Sequence, residues 1–240
     1  MAAVVMVPLA HGRRRANRRD AAKLAALGAL LFATAWLTIF ALARLSVALV
    51  LTIASLTPVA VALASREQGR RARFFAGVGC AVGGAVLATG LFDAATATNV
   101  IGVLCMLGAV ATSTTYRLGL ERVTDRHTPS VVSTWVFASG GLLALVVVTP
   151  LAGMPPAAAW WAGGWTGVAA AVANVGFVTV IEVFGAARAS LWMLLQRPLV
   201  IAIAALWLGE RPGPLQIAGI VAVLLGVWLG QTARRQTSAP

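Results

Sequence analysis

The residues best suited to recognise a small molecule lie where polarity is costly. Arg197 stands between Gln196 and Pro198, near the middle of a 20-residue apolar run from Ala189 to Leu208. As a helix, such a run covers about 30 Å, one hydrocarbon core. A charged arginine near the bilayer centre costs about 2.5–3.5 kcal/mol on insertion scales, so it has to face the protein interior or a water-filled cavity. There its guanidinium can take an anionic group such as a carboxylate. Pro198 has no N–H and leaves a carbonyl one turn earlier without its helical donor, which puts an acceptor beside the charge. Treating 159–182 and 188–208 as an antiparallel hairpin that turns near residue 185 places Arg197 roughly 17 Å from the turn. The residue at equal depth on the partner helix is Asn174, and Thr57 and Thr34 stand 140 positions before these two. Four polar residues thus share one level. The alternative is that Arg197 hydrogen-bonds Asn174 and the freed carbonyls and only holds helices together.

Other polar positions carry less. Gln196 adjoins Arg197, and Trp36 and Trp135 could wall a cavity, although core packing accounts for them more simply. Thr112, Ser113, Thr114, Thr115 and Tyr116 crowd one helix end, where hydroxyls bond back to their own helix. Glu182 lies across a corner from Arg188 and reads mainly as its ion-pair partner, with proton coupling as a lesser role. The remaining acids fall in loops and turns, so a buried-acid proton relay has no support. Cys80 and Cys105 sit inside apolar runs and read as packing residues. His11 and His127 are far apart, without ligand spacing. There is no zinc, phosphate-loop or nucleophile-elbow motif. No catalytic residue, metal or cofactor is expected. Arg, Asn and Thr bind well but do little acid–base work, which disfavours a membrane-embedded enzyme.

The elements that position these residues follow from composition. Hydrophobic residues make up 60% of the 240 and charged ones 11%. Soluble domains carry about 25% charged residues. The chain therefore reads as an all-α, polytopic membrane protein. Apolar segments at 22–43, 46–65, 74–91, 99–116, 130–149, 159–182, 188–208 and 214–230 give an expectation of eight transmembrane helices. The longest connection then runs from Arg117 to Ser130. The net charge of +12 is distributed between these runs, which favours the membrane over nucleic acid as its reason. Alternate loops hold 16 of the Lys and Arg residues, against Arg44 and Arg211 on the other side. By the positive-inside rule the C-terminus is cytoplasmic. Trp160, Trp161 and Trp207 fit an interfacial belt.

Pro58 and Pro198 occupy matching places in two similar helix–turn–helix stretches of opposite predicted orientation. Each stretch continues into a glycine-rich helix, with Gly77 and Gly84 in the first and Gly219 and Gly226 in the second. Glycines seven apart lie on one helix face and suit close helix packing. An inverted repeat of this kind is usual in secondary transporters, with the site near the midplane and the prolines as helix breaks or hinges.

The stretch 185–230 resembles the EamA-type family of the drug/metabolite transporter superfamily. It has small residues at a corner, Pro198 in mid-helix, Gly209-Glu210 at the turn, then Gln216, Gly219 and Gly226. A fainter version covers 44–90 with Pro58, Glu67, Gly77 and Gly84, and Gly102 to Arg117 looks like the first helix of the second repeat. The resemblance implies a ten-helix inverted-repeat bundle that moves small metabolites, often amino acids, outward. On that reading 1–21 is a cytoplasmic basic segment after the remnant of a helix, and 22–91 is a first repeat of three helices lacking its first two. Residues 99–230 form the second repeat, and 231–240 a cytoplasmic tail. The expected partners are the lipid bilayer and a small-molecule substrate, not nucleic acid, with a homodimer left open. The expected place is a bacterial cytoplasmic membrane. The rival to an exporter is a fragment or accessory subunit without transport of its own.

Overall fold

Prolines and helix length decide which apolar runs become continuous spans. The computed structural model describes residues 18–65, 72–88, 99–152, 157–207 and 213–232. Their elements are all helical: α1 (Arg18–Leu42), α2 (Val47–Ala54), α3 (Thr57–Ala64), α4 (Ala72–Ala88), α5 (Val100–Thr124), α6 (Pro129–Ala152), α7 (Ala157–Phe184), α8 (Ala186–Trp192), a 3-10 turn at Met193–Leu195, α9 (Gln196–Trp207) and α10 (Pro214–Thr232).

Among the described residues, four helices are long and apolar enough to cross a membrane: Asp20–Leu42, Val100–Thr124, Pro129–Leu151 and Gly163–Phe184. The chain is an all-α, multi-pass membrane protein, but the expectation of eight spans is corrected to these four. The reason is local. The segment expected at 46–65 divides into two eight-residue helices ahead of Pro58, each about 12 Å long. Ser55 and Leu56 keep right-handed helical angles, so the chain bends there without reversing. Their N–H groups reach Thr52 and Ile53 three residues back, a tightened turn. The segment at 188–208 breaks in the same way, at Met193–Leu195 just ahead of Pro198. A proline ring collides with the carbonyl four residues earlier, which breaks or kinks the helix at that point. The apolar stretches Phe74–Leu87 and Pro214–Gly230 are shorter helices, at about 25 Å or less below the thickness of a hydrocarbon core.

Two loop assignments also change. α5 continues to Thr124, so Arg117 and Arg122 are helical and the connection to α6 shrinks to residues 125–128. Arg188 lies within α8 and is 9% exposed, rather than in a solvated corner.

The chain divides into two compact units. The first comprises residues up to Trp36 and Thr115–Gly185. Leu24, Leu120, Val132, Val136, Val178 and Ile181 are buried in it. α1 and α6 approach at Gly28, where an added Cβ would lie 2.6 Å from the Val136 carbonyl oxygen and 2.9 Å from Gly140 N. Gly185 closes α7 with φ 80° and donates its N–H to the Ile181 carbonyl at 2.8 Å. That left-handed conformation is one glycine adopts without penalty.

The second unit comprises Leu37–Thr114 and the chain from Ala186 onward. Its centre is the pair α4 and α10. A Cβ on Gly84 would lie 2.6 Å from Gly219 O and Val223 N, and one on Gly77 would lie 2.7 Å from Gly226 O and 2.5 Å from Gly230 N. The four glycines selected by spacing thus face one another across an antiparallel pair, backbone against backbone. Cys80, midway along, donates its thiol to the Ala222 carbonyl at 3.4 Å. Cys105 packs against a cluster of Ala41, Leu45, Val50, Ile53, Met106 and Ala109. Both cysteines are free and serve packing. Elsewhere large apolar side chains stay exposed, among them Leu142, Leu145, Trp161, Leu206 and Trp207, as lipid-facing helices require.

Candidate functional site

An asparagine in the middle of an apolar helix has to find partners, because an unsatisfied amide in a low-dielectric setting costs several kcal/mol. Asn174 is such a residue, in α7 between Ala173 and Val175. Its Oδ1 accepts from Tyr116 Oη of α5 at 3.3 Å. Its Nδ2 donates to Ser133 Oγ of α6 at 3.0 Å. Tyr116 and Ser133 are buried, at 4% and 0% exposure, while Asn174 is half-buried. Three membrane-spanning helices of the first unit therefore meet in one polar chain. Next along α5, the Arg117 guanidinium carbon lies 5.3 Å from the centroid of Phe177, one turn past Asn174. An arginine over an aromatic face is favourable, more so when desolvated. This corner presents an amide, two hydroxyls and a cation close together. Such a set can hydrogen-bond and orient a polar ligand.

The other residues selected from the sequence are placed as follows. In the first unit, the Thr34 hydroxyl donates to its own helix at the Leu30 carbonyl, 2.8 Å. Trp36 is tilted against Phe32 with ring centroids 6.0 Å apart. Trp135 is 40% exposed and Glu182 is exposed on α7. In the second unit, Thr57 and Pro58 are buried in the first turn of α3, Gln196 is exposed, and Pro198 lies in the first turn of α9. The side chain of Arg197 lies outside the described residues, as do Trp160, Glu67, Glu210 and His11. Of the four residues expected at one level, Asn174 and Thr34 belong to the first unit and Thr57 and Arg197 to the second.

The hydroxyl run of α5 bonds back as expected: Thr112 to Gly108 O at 3.0 Å and Thr114 to Val110 O at 2.7 Å. Tyr116 is the exception, since its hydroxyl leaves the helix for Asn174. Ser133 carries no signal in the sequence, and Arg117, expected in a connection, lies within α5. The signal for both Tyr116 and Arg117 was the lack of any breaker between Val100 and Thr124. Ser133 gave none, because the facing of one helix toward another is not written in either. Among the described residues, no group of His, Cys, Asp and Glu comes together in a way that would hold a metal ion.

A family model described as the EamA-like transporter family matches residues 100–230. No curated protein matches the chain.

Proposed function

Since the chain belongs to the EamA-like transporter family, we propose from that premise that it is a secondary exporter of small carboxylate-bearing metabolites, amino acids among them. The observation that carries this reading is the polar chain Tyr116–Asn174–Ser133, which joins three membrane-spanning helices through side chains alone. Polar side chains inside membrane helices either bond helix to helix or line a path for polar substrate, and family membership favours the second role here. In the first unit Asn174 is the candidate for orienting a substrate's polar groups; in the second, considered by itself, Arg197 is the candidate for a carboxylate. Thr34, Trp36 and Trp135 are further candidates in the first unit, and Thr57 and Gln196 in the second. Two segments each divide just before a proline, a feature that broken helices of secondary transporters share. Pro58 and Pro198 act as the hinges of an inverted repeat that alternates access, and Glu182 is the candidate coupling acid. The membrane is the bacterial cytoplasmic one, with the C-terminus inside.

The test is metabolite profiling of the medium from cells expressing the unmodified chain, Asn174→Ala or Arg197→Ala at matched membrane levels. A carboxylate-bearing metabolite accumulates outside with the unmodified chain. Its efflux falls roughly 3- to 15-fold with Asn174→Ala, the scale of one or two intramembrane hydrogen bonds, and further with Arg197→Ala. Identical media from all three strains and the empty-vector control would overturn the proposal.

A further inference from the structure

At one end of the first unit, a cleft of about 830 Å³ opens between the start of α1 and the end of α5. Its lining sorts by depth. The mouth carries Lys23, Arg122 and Arg126 together with Asp20, Asp125 and His127. The inner wall is apolar: Ala26, Leu27 and Leu30 on α1, with Leu118 and Val123 on α5. Gly119 also lines it and packs closely on Leu27, since a Cβ there would lie 2.5 Å from Leu27 Cδ2. One candidate span begins at Asp20 and another ends at Thr124. The charged mouth therefore lies at the boundary between hydrocarbon and water, and the apolar wall runs about 10 Å into the span from Lys23 to Leu30.

We propose that this cleft is a binding site for an anionic phospholipid, its phosphate held by Lys23, Arg122 and Arg126 and its acyl chain laid along Leu27, Leu30 and Leu118. A soluble anion would match the mouth alone and leave the apolar wall uncovered. A basic pocket between spans at the headgroup level is the chemistry that selects acidic lipid heads. Guanidinium groups suit it better than ammonium because they pair two phosphate oxygens in one plane. Two carboxylates share the mouth. Asp20 Oδ2 lies 3.8 Å from His127 Nε2 and is occupied on that side, and three basic side chains outnumber the two acids. The inference rests on the membrane-spanning character of α1 and α5, not on transport.

The test is native mass spectrometry of the full chain in mild detergent, with phosphatidylglycerol or phosphatidylcholine of identical acyl chains. Phosphatidylglycerol is retained at least about tenfold better. The Arg122→Gln/Arg126→Gln double variant loses roughly 30-fold of that retention, at about fivefold per basic residue near an anionic surface. Arg44→Gln, whose guanidinium instead donates to Phe40 O and covers the Phe40 ring, retains the lipid. Both substituted arginines of the cleft are exposed, and an unchanged melting temperature verifies the fold. Equal retention of the two lipids, or retention unchanged in the double variant, overturns the proposal. Displacement by millimolar inorganic phosphate overturns it as well, because the site would then recognise the headgroup anion alone.

Discussion

At Asn174 a single side chain settles how three helices are joined. Its amide both accepts and donates, so Tyr116 and Ser133 are coupled through it rather than to each other. Intramembrane hydrogen bonds average about 0.6 kcal/mol and reach about 1.7. Tyr116→Phe and Ser133→Ala are each expected to lower stability within that range. Their double variant should lose less than the sum, because the second deletion acts on an amide already freed to turn. Thermal unfolding of the four species in detergent checks this, and strict additivity would mean that the two bonds are independent. An amide inside an apolar helix is legible in the sequence. Its partners are not, because rotation about the helix axis depends on packing across the bundle.

Among the elements, α4 and α10 show what a glycine spacing carries once it recurs at the same place in both halves of a chain. Gly77, Gly84, Gly219 and Gly226 were selected for recurring at intervals of seven, and they meet at backbone distance. Gly84→Ala forces a methyl to within 2.6 Å of Gly219 O and Val223 N. Neither atom can move without shifting a helix, so a loss of about 2 kcal/mol or more is expected. Gly79→Ala on the same helix meets nothing within 4 Å, and should be neutral or stabilising by up to about 1 kcal/mol. Melting temperatures of the two variants discriminate, and equal loss would remove the glycine contact as the cause. The kinked helices were less legible. A hydropathy window averages over Ser55-Leu56 and Met193–Leu195 and reads a bent segment as one span. Pro58 and Pro198 recur at matching places, and each also shortens the helix that it enters.

For the molecule as a whole, four spans put all Lys and Arg residues between the first two spans on the side of Arg44, so the expected split becomes 14 against 5 and keeps its sign. The connection at 125–128 is expected inside and that between α6 and α7 outside. With Cys80 and Cys105 replaced by serine, Thr128→Cys should resist an impermeant maleimide in intact cells while Gly153→Cys reacts. The reverse pattern would invert the orientation. The α4–α10 contact also has a consequence for how the chain is made. Cys80 and Ala222 stand 142 positions apart. At 5–20 residues per second, roughly 7–28 s of synthesis separates them. Throughout that interval α4 is already made, and its glycine face has no α10 to meet. This close contact in the second unit therefore forms late in synthesis, and a nascent chain arrested before Pro214 would present quality-control proteases with that bare face.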